Sequence, residues 1–240
     1  ADAAESYPFS PGEHLVFEVK WGPIPAGRAT LEILHPENEE EAERFHFVMT
    51  ARTYPYVDLF YKVRDRIDAY TDAEMTHSFL YEERKKGRRE KHVVVDLDEE
   101  ERHALYSNFG RKRKPIAIRP GTFDPLSVFY AFRVHPLQEG KVIRIPVTDG
   151  KKCVMGRAMV IRREEVEVFG RMVDTYLVEP DLEHIGGVFE ESPDAKLQIW
   201  VTADSRRIPV RIKSRVVVGS FVAEIISATQ GERNLFPQGV

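Results

Sequence analysis

One cysteine, Cys153, stands among 240 residues, so no intrachain disulfide can form. No apolar run approaches the roughly 20 residues a membrane-spanning helix needs, and no transmembrane segment is expected. The eight histidines include no pair at helical metal-ligand spacing and no cysteine pair accompanies them, so neither a metal nor a cofactor is expected. A dominant charge is missing too. The net charge of −4 gives no reason to expect nucleic acid or an anionic membrane as the main partner. Ser127 lacks the Gly-x-Ser-x-Gly context of a nucleophile elbow, and Cys153 has no assignable histidine partner. No catalytic residue is therefore assigned.

What is present is β-grammar. Leu15, Phe17, Val19 and Trp21 alternate with Val16, Glu18 and Lys20, and Ala29, Leu31 and Ile33 alternate with Arg28, Thr30 and Glu32. The Gly22–Gly27 stretch between them reads as a hairpin connection. Period-2 strands follow at Phe45–Ala51, Arg66–Tyr70, His77–Glu82, Glu90–Leu97 and Arg102–Asn108, with a short extended piece at Lys114–Arg119. Acidic turns lie at Glu37–Glu43 and Asp98–Glu101, and a basic connection at Arg84–Arg89. Later strands are expected at Val142–Val147, Arg157–Arg163, Glu165–Phe169 and Asp174–Pro180. A closing meander runs from Leu197 to Ile226 around the Ala203–Arg207 turn.

Helix signals are sparse. Val57–Val63 fits one or two helical turns. The clear case is Asp124 as cap, Pro125 at the first helical position, and a helix continuing from Leu126 to Val134. Leu126, Phe129, Tyr130 and Arg133 would share its face. A large sheet with so few covering helices must close on itself, pair with another sheet, or wrap around something. The expected fold is all-β. It is a large antiparallel meander forming a barrel or curved half-barrel with one or two short helices, in a single domain over residues 1–240 with extended termini at 1–12 and 231–240.

Few constellations carry chemistry. His92 and His103 could meet across the hairpin at residues 97–101. Asp65 with Asp68, or Glu190 with Glu191, could be paired carboxylates, but alternation sets Asp65 and Asp68 on opposite strand faces. Arg207, Arg211, Lys213 and Arg215 are spaced to share a face, with Ile208, Val210 and Ile212 on the other. The best enzymatic arrangement would gather Tyr130, Arg133 and Asp204 in a cleft. Aromatics are more suggestive: Tyr54, Tyr56, Phe60 and Tyr61 cluster in one irregular stretch, and Phe129 and Tyr130 lie on the helix. An aromatic-lined cavity with a few polar groups suits an apolar ligand. The candidate ligand-binding residues are Trp21, Tyr54, Tyr56, Phe60, Phe129, Tyr130, Arg133 and Trp200.

Three groups of residues carry a family resemblance. They are Trp21-Gly22 with Pro25-Ala26-Gly27; Asp124-Pro125-Leu126-Ser127 through Tyr130 and Arg133; and Ile199-Trp200, Asp204, Arg207–Arg211 and Gly219. Together they resemble a bacterial exported family known as domain of unknown function 3108. A weaker similarity links the Trp200–Arg211 meander to periplasmic lipoprotein-carrier and lipoprotein-sorting proteins. The resemblance implies a signal-bearing envelope protein with no assigned activity. The second similarity implies a curved sheet holding an apolar cavity for acyl chains. The start Ala1-Asp2-Ala3-Ala4-Glu5 fits an exported chain with its signal peptide removed. The resulting expectation is a periplasmic, non-enzymatic protein that binds a lipid or other amphiphile. An envelope assembly module binding a protein or polysaccharide, and an enzyme of unknown type, are the alternatives.

Overall fold

A computed structural model describes residues 7–38, 43–87, 90–181, 196–216 and 219–237. Among them, sixteen strands form one antiparallel sheet, with two short helices. The first half of the chain supplies β1 (Glu13–Trp21), β2 (Ile24–Ile33), β3 (Arg44–Thr53), α1 (Pro55–Asp58), β4 (Val63–Asp72) and β5 (Ser78–Gly87). It continues with β6 (Lys91–Asp98), β7 (His103–Asn108), β8 (Arg111–Lys112) and β9 (Ile116–Ala117). After α2 (Ser127–Val134) come β10 (Val142–Thr148), β11 (Cys153–Val168), β12 (Arg171–Asp181) and β13 (Lys196–Thr202). β14 (Pro209–Val216), β15 (Gly219–Gln230) and β16 (Arg233–Asn234) complete the sheet.

Two meanders, β1–β8 and β10–β15, are fused where β15 pairs with β1, from Glu13↔Gln230 to Trp21↔Phe221. β9 and β16 are short additions to β7 and β15. Strands β10 and β8 remain as edges, so the sheet is the open, curved form of the expected architecture. Residues 118–123 cross the gap. Ile118 N–H donates to the Arg102 carbonyl, Ser78 N–H donates to Thr122, and Phe123 exchanges backbone bonds of 2.9 Å with Pro146 and Thr148.

The curvature follows from what α2 touches. Tyr130 stacks on Phe47 with ring centroids 4.0 Å apart, while Phe132 packs with Ile143, Val160, Val178, Ile199 and Val201. The pairing row Val178–Ile199–Ile212–Ala223–Val19 puts the second group on the same sheet face as Phe17 and its neighbours in β2 and β3. One helix reaches both halves of one face, so the sheet wraps around it. The hollow expected inside the sheet is filled by the helix and by Phe9, Phe47 and Tyr130. Each large side chain buried there contributes about 1.5–3 kcal/mol.

Asp124 ties down the turn that leads into α2, but Pro125, expected at the first helical position, lies in that turn and Leu126 takes the N-cap position. The Asp124 carboxylate accepts from the Leu126 and Ser127 N–H groups at 2.8 and 2.9 Å, and regular helix starts only at Ser127. Other expectations need correction. The first hairpin turns at Gly22-Pro23 alone, and Ala26 is the extra residue of a bulge opposite Val19 and Lys20. Pro25 is tolerated at that bulge. A Cβ on Gly27 would lie 2.3 Å from the Arg52 carbonyl oxygen, so only glycine fits. The two strands expected between Arg157 and Phe169 are one strand, β11, which continues through a bulge between Val160 and Arg162. The basic connection at Arg84 is ladder up to Gly87, and Arg88 and Arg89 lie outside the described residues.

A candidate binding surface at the aromatic end

Antiparallel pairing brings the β1–β2, β3–β4, β5–β6, β7–β8 and β14–β15 connections to one end of the sheet. This end exposes apolar side chains. Trp21 stacks on Phe221 at 6.4 Å across the β1–β15 pair, and Ile24 lies opposite Trp21 on β2. The β3–β4 connection carries Tyr56, Leu59, Phe60 and Tyr61, with Leu59 80% and Phe60 87% exposed. Phe109 is exposed at the β7–β8 turn. Isolated exposed apolar residues are ordinary; a cluster on adjacent turns marks a contact surface.

The β3–β4 connection is held in place. Pro55 starts α1, Tyr54 stacks beside Tyr56 at 5.8 Å, and the Tyr56 hydroxyl donates to the Pro25 carbonyl. Arg64 pairs with Asp58 through both guanidinium nitrogens and also donates to the Thr53 carbonyl at 3.2 Å. Hydrogen bonds from Arg64 and Thr53 hold the Asp58 carboxyl below its ordinary range. The apolar tip beyond Asp58 therefore stands on an ordered base.

Beneath this tip the convex face carries a row of cations. Arg28 faces Arg52, Arg52 faces Arg64, and Arg64 faces Lys86. Like charges directly opposite one another destabilise a sheet. The next layer down behaves differently. Arg66 donates to Asp68 at 2.7 Å through two nitrogens, and Arg84 pairs with Glu82 at 2.6 Å. Burial alone would raise the Asp68 carboxyl, but hydrogen bonds from His46 and Arg66 overcome it and hold Asp68 well below the ordinary range.

The candidate residues divide into three groups. Trp21, Tyr54, Tyr56 and Phe60 come together at the aromatic end. Phe129, Tyr130 and Arg133 lie on α2 in the interior. Tyr130 and Arg133 are fully buried, and Phe129 bridges the two core clusters. Trp200 lies on β13, where its indole N–H donates to Glu164 at 2.7 Å and Arg211 lies over the ring. Sequence reasoning missed Ile24, Leu59, Phe109 and Phe221, and the cation row. A signal for Phe221 exists only once β15 is known to pair with β1.

Other groupings dissolve. The β6–β7 register sets His103 opposite Asp98 and leaves His92 at the far end of the hairpin, where it bonds Glu82 at 2.6 Å. Arg207 leaves the basic stripe: it adopts left-handed backbone (φ 47°) in the turn before β14 and donates to the Arg133 carbonyl. The Arg215 side chain, Glu190 and Glu191 lie outside the described residues. Asp65 and Asp68 do occupy opposite faces of β4, paired with Ala51 and Val48 respectively. The cleft imagined around Tyr130, Arg133 and Asp204 does not form. Arg133 is taken by Glu13 at 2.6 and 2.9 Å, while Asp204 accepts from Thr202 and Arg206 within its own turn.

Two open clefts mark the surface. One, about 320 Å³, lies between the β11–β12 hairpin tip and the convex face, where Lys20 and Arg211 both bond Glu224. The other, about 150 Å³, lies beside Glu13 among Tyr7, Phe9, Ile208 and Leu235. Neither is an enclosed apolar chamber.

Fold and surface together define a class: an open, barrel-like antiparallel β-protein with a filled interior and an exposed aromatic end. Residues 16–226 match the model of a family described as protein of unknown function, DUF3108, and the chain belongs to that family. No curated protein matches the sequence. A β-barrel-like protein of the DUF1849 domain from Brucella abortus shares the fold, with a TM-score of 0.58, 10% identity, and coverage of 91% of this chain and 97% of that one. Looser in shape are two others. A Chlamydia trachomatis hypothetical protein has a TM-score of 0.38 at 10% identity, covering 96% and 93%. A Bacteroides fragilis protein inferred to be exported, with a YmcC-like fold, has a TM-score of 0.33 at 9% identity, covering 93% and 98%. No helix among the described residues is long and apolar enough to cross a membrane.

Proposed function

We propose that this protein is a non-enzymatic envelope protein that binds an apolar or amphiphilic ligand, a lipid or acyl chain, at its aromatic end. The exposure of Leu59 and Phe60 on a connection fixed by the Asp58–Arg64 pair carries the reading. A fold that buries Phe9, Phe47 and Tyr130 gains nothing in water from such a tip. The ligand contacts are Trp21, Tyr54, Tyr56 and Phe60, with Phe129, Tyr130, Arg133 and Trp200 shaping the framework behind them. The periplasmic setting rests on the resemblance of the sequence motifs to an exported family. The chain acts as one β-domain, because β15 pairs with β1 and ties its two halves together.

The ligand site is then a surface and not an internal cavity. Burying a Leu or Phe side chain adds about 1.5–3 kcal/mol, so Leu59→Ser with Phe60→Ser should weaken binding of a neutral fluorescent acyl probe by tenfold or more. Native mass spectrometry of gently purified protein should show co-purifying lipid. Absence of both lipid and probe binding in the unmodified protein would refute the reading.

A further inference from the structure

The cation row requires its own account. Arg28, Arg52, Arg64 and Lys86 stand side by side on β2, β3, β4 and β5, each directly opposite the next. Among the described residues, Arg64 alone of the four has an ion-pair partner, Asp58. Glu18 lies opposite Arg28 at the end of the row, but it accepts a 3.3 Å hydrogen bond from Tyr54 and makes no ion pair with Arg28. One layer away the same strands pair their cations with Asp68 and Glu82. The row is thus a standing cost that the sheet does not relieve from within.

The connections repeat the pattern. Those at the aromatic end carry or adjoin Lys62, Lys91, Arg111 and Lys112, against Asp58 and Glu90. Those at the opposite end carry Glu37, Glu43, Glu74, Glu99–Glu101 and Asp204, against Arg102, Arg206 and Arg207. The net charge of −4 averages over this segregation. A molecule with an excess of acids at one end and of cations and aromatics at the other orients itself at a negative surface before it touches it.

We propose that the aromatic end docks on the surface of an anionic phospholipid bilayer, with the Phe60 tip entering the interface and Arg28, Arg52 and Lys86 meeting lipid phosphates. This rests on the amphiphile reading above and names the headgroup class and physical state of its ligand. Aromatic side chains favour the membrane interface, and each cation near an anionic surface strengthens binding by about fivefold.

The test uses the full chain and two vesicle types, pure phosphatidylglycerol and pure phosphatidylcholine, in co-sedimentation at low and high salt. The protein should bind phosphatidylglycerol vesicles more tightly, and the preference should fade as salt screens it. The triple variant Arg28→Gln, Arg52→Gln, Lys86→Gln should lose on the order of 100-fold in phosphatidylglycerol binding. Its phosphatidylcholine binding should be unchanged, and its Tm no lower than that of the parent. Equal binding to both vesicles, or a triple variant that keeps the preference, overturns the headgroup inference and leaves the amphiphile reading standing. Binding to neither vesicle nor neutral acyl probe removes both. Displacement by inorganic phosphate but not by chloride at matched ionic strength also overturns bilayer docking, because it marks a pocket for the free ion.

Discussion

The two ends of this sheet solve opposite problems. At the end where β1 begins, Phe9 packs against Phe47 and Tyr130, and the guanidinium of Arg133 is buried against Glu13 at 2.6 Å. Arg133 also donates to the Arg206 carbonyl, so both of its terminal nitrogens leave water with partners while Nε is buried without one. At the end where β1 finishes, Leu59 and Phe60 stay in solvent and Arg28 faces Arg52. The contrast teaches where this fold secures stability and where it leaves surface for something else. A packed end tolerates few changes; an exposed end tolerates many, and changes there should be felt in binding.

The sharpest way to break the comparison is at the packed end. Removing one charge of a buried pair costs about 3–5 kcal/mol, because the other charge is left uncompensated. Glu13→Gln should therefore lower Tm by on the order of 10 °C in a thermal scan, at about 2–4 °C per kcal/mol for a domain of this size. Replacing both partners, Glu13→Leu with Arg133→Met, should recover most of the loss.

Asp68, on the convex face between the two ends, should come next. Its hydrogen bonds to His46 and Arg66 are charge-assisted, and Asp68→Asn should cost about 1.5–3 kcal/mol by urea denaturation at neutral pH. Its folded carboxyl is held below the ordinary range, so its contribution is complete above the unfolded value of about 3.9. That contribution is lost as pH falls from there through the lower folded value. The stability difference between parent and Asp68→Asn should therefore shrink with acidification below about pH 4; a difference that stays constant would contradict the assignment.

A smaller effect of opposite sign is expected within the core. The Tyr130 hydroxyl is buried with no hydrogen-bond partner, and burial raises its pKa. Tyr130→Phe should leave stability unchanged or raise it by about 1 kcal/mol, since it removes a desolvated polar group. Smallest of all should be the effect of Leu59→Ser with Phe60→Ser on stability, within about 0.5 kcal/mol, as for surface changes in general. The same pair should abolish most ligand binding. A large loss of stability there would erase the distinction between the ends.

Much of the fold is legible locally. The alternation of Leu15, Phe17 and Val19, the Asp124 bonds just ahead of α2 and the turn at Ala203–Arg207 each depend on a few neighbouring residues. The merged β11 was not legible, because a bulge restores a phase that the sequence shows as broken. The site was half legible. Tyr54, Tyr56 and Phe60 stand out as a cluster in the chain, but nothing in their spacing says that they remain exposed while Phe129 and Tyr130 are buried.

Sequence by itself determined that this is an all-β chain with a helix close after Asp124, since side-chain alternation and local carboxylate–backbone bonds act over a handful of residues. Tertiary structure decided the rest. Positions 28, 52, 64 and 86 share no period along the chain, and only the registers of β2 to β5 align them. Trp21 meets Phe221, and Glu13 meets Arg133, only because β15 closes on β1 and the sheet wraps around α2. Such meetings depend on pairing between distant segments, and local propensity carries no record of them.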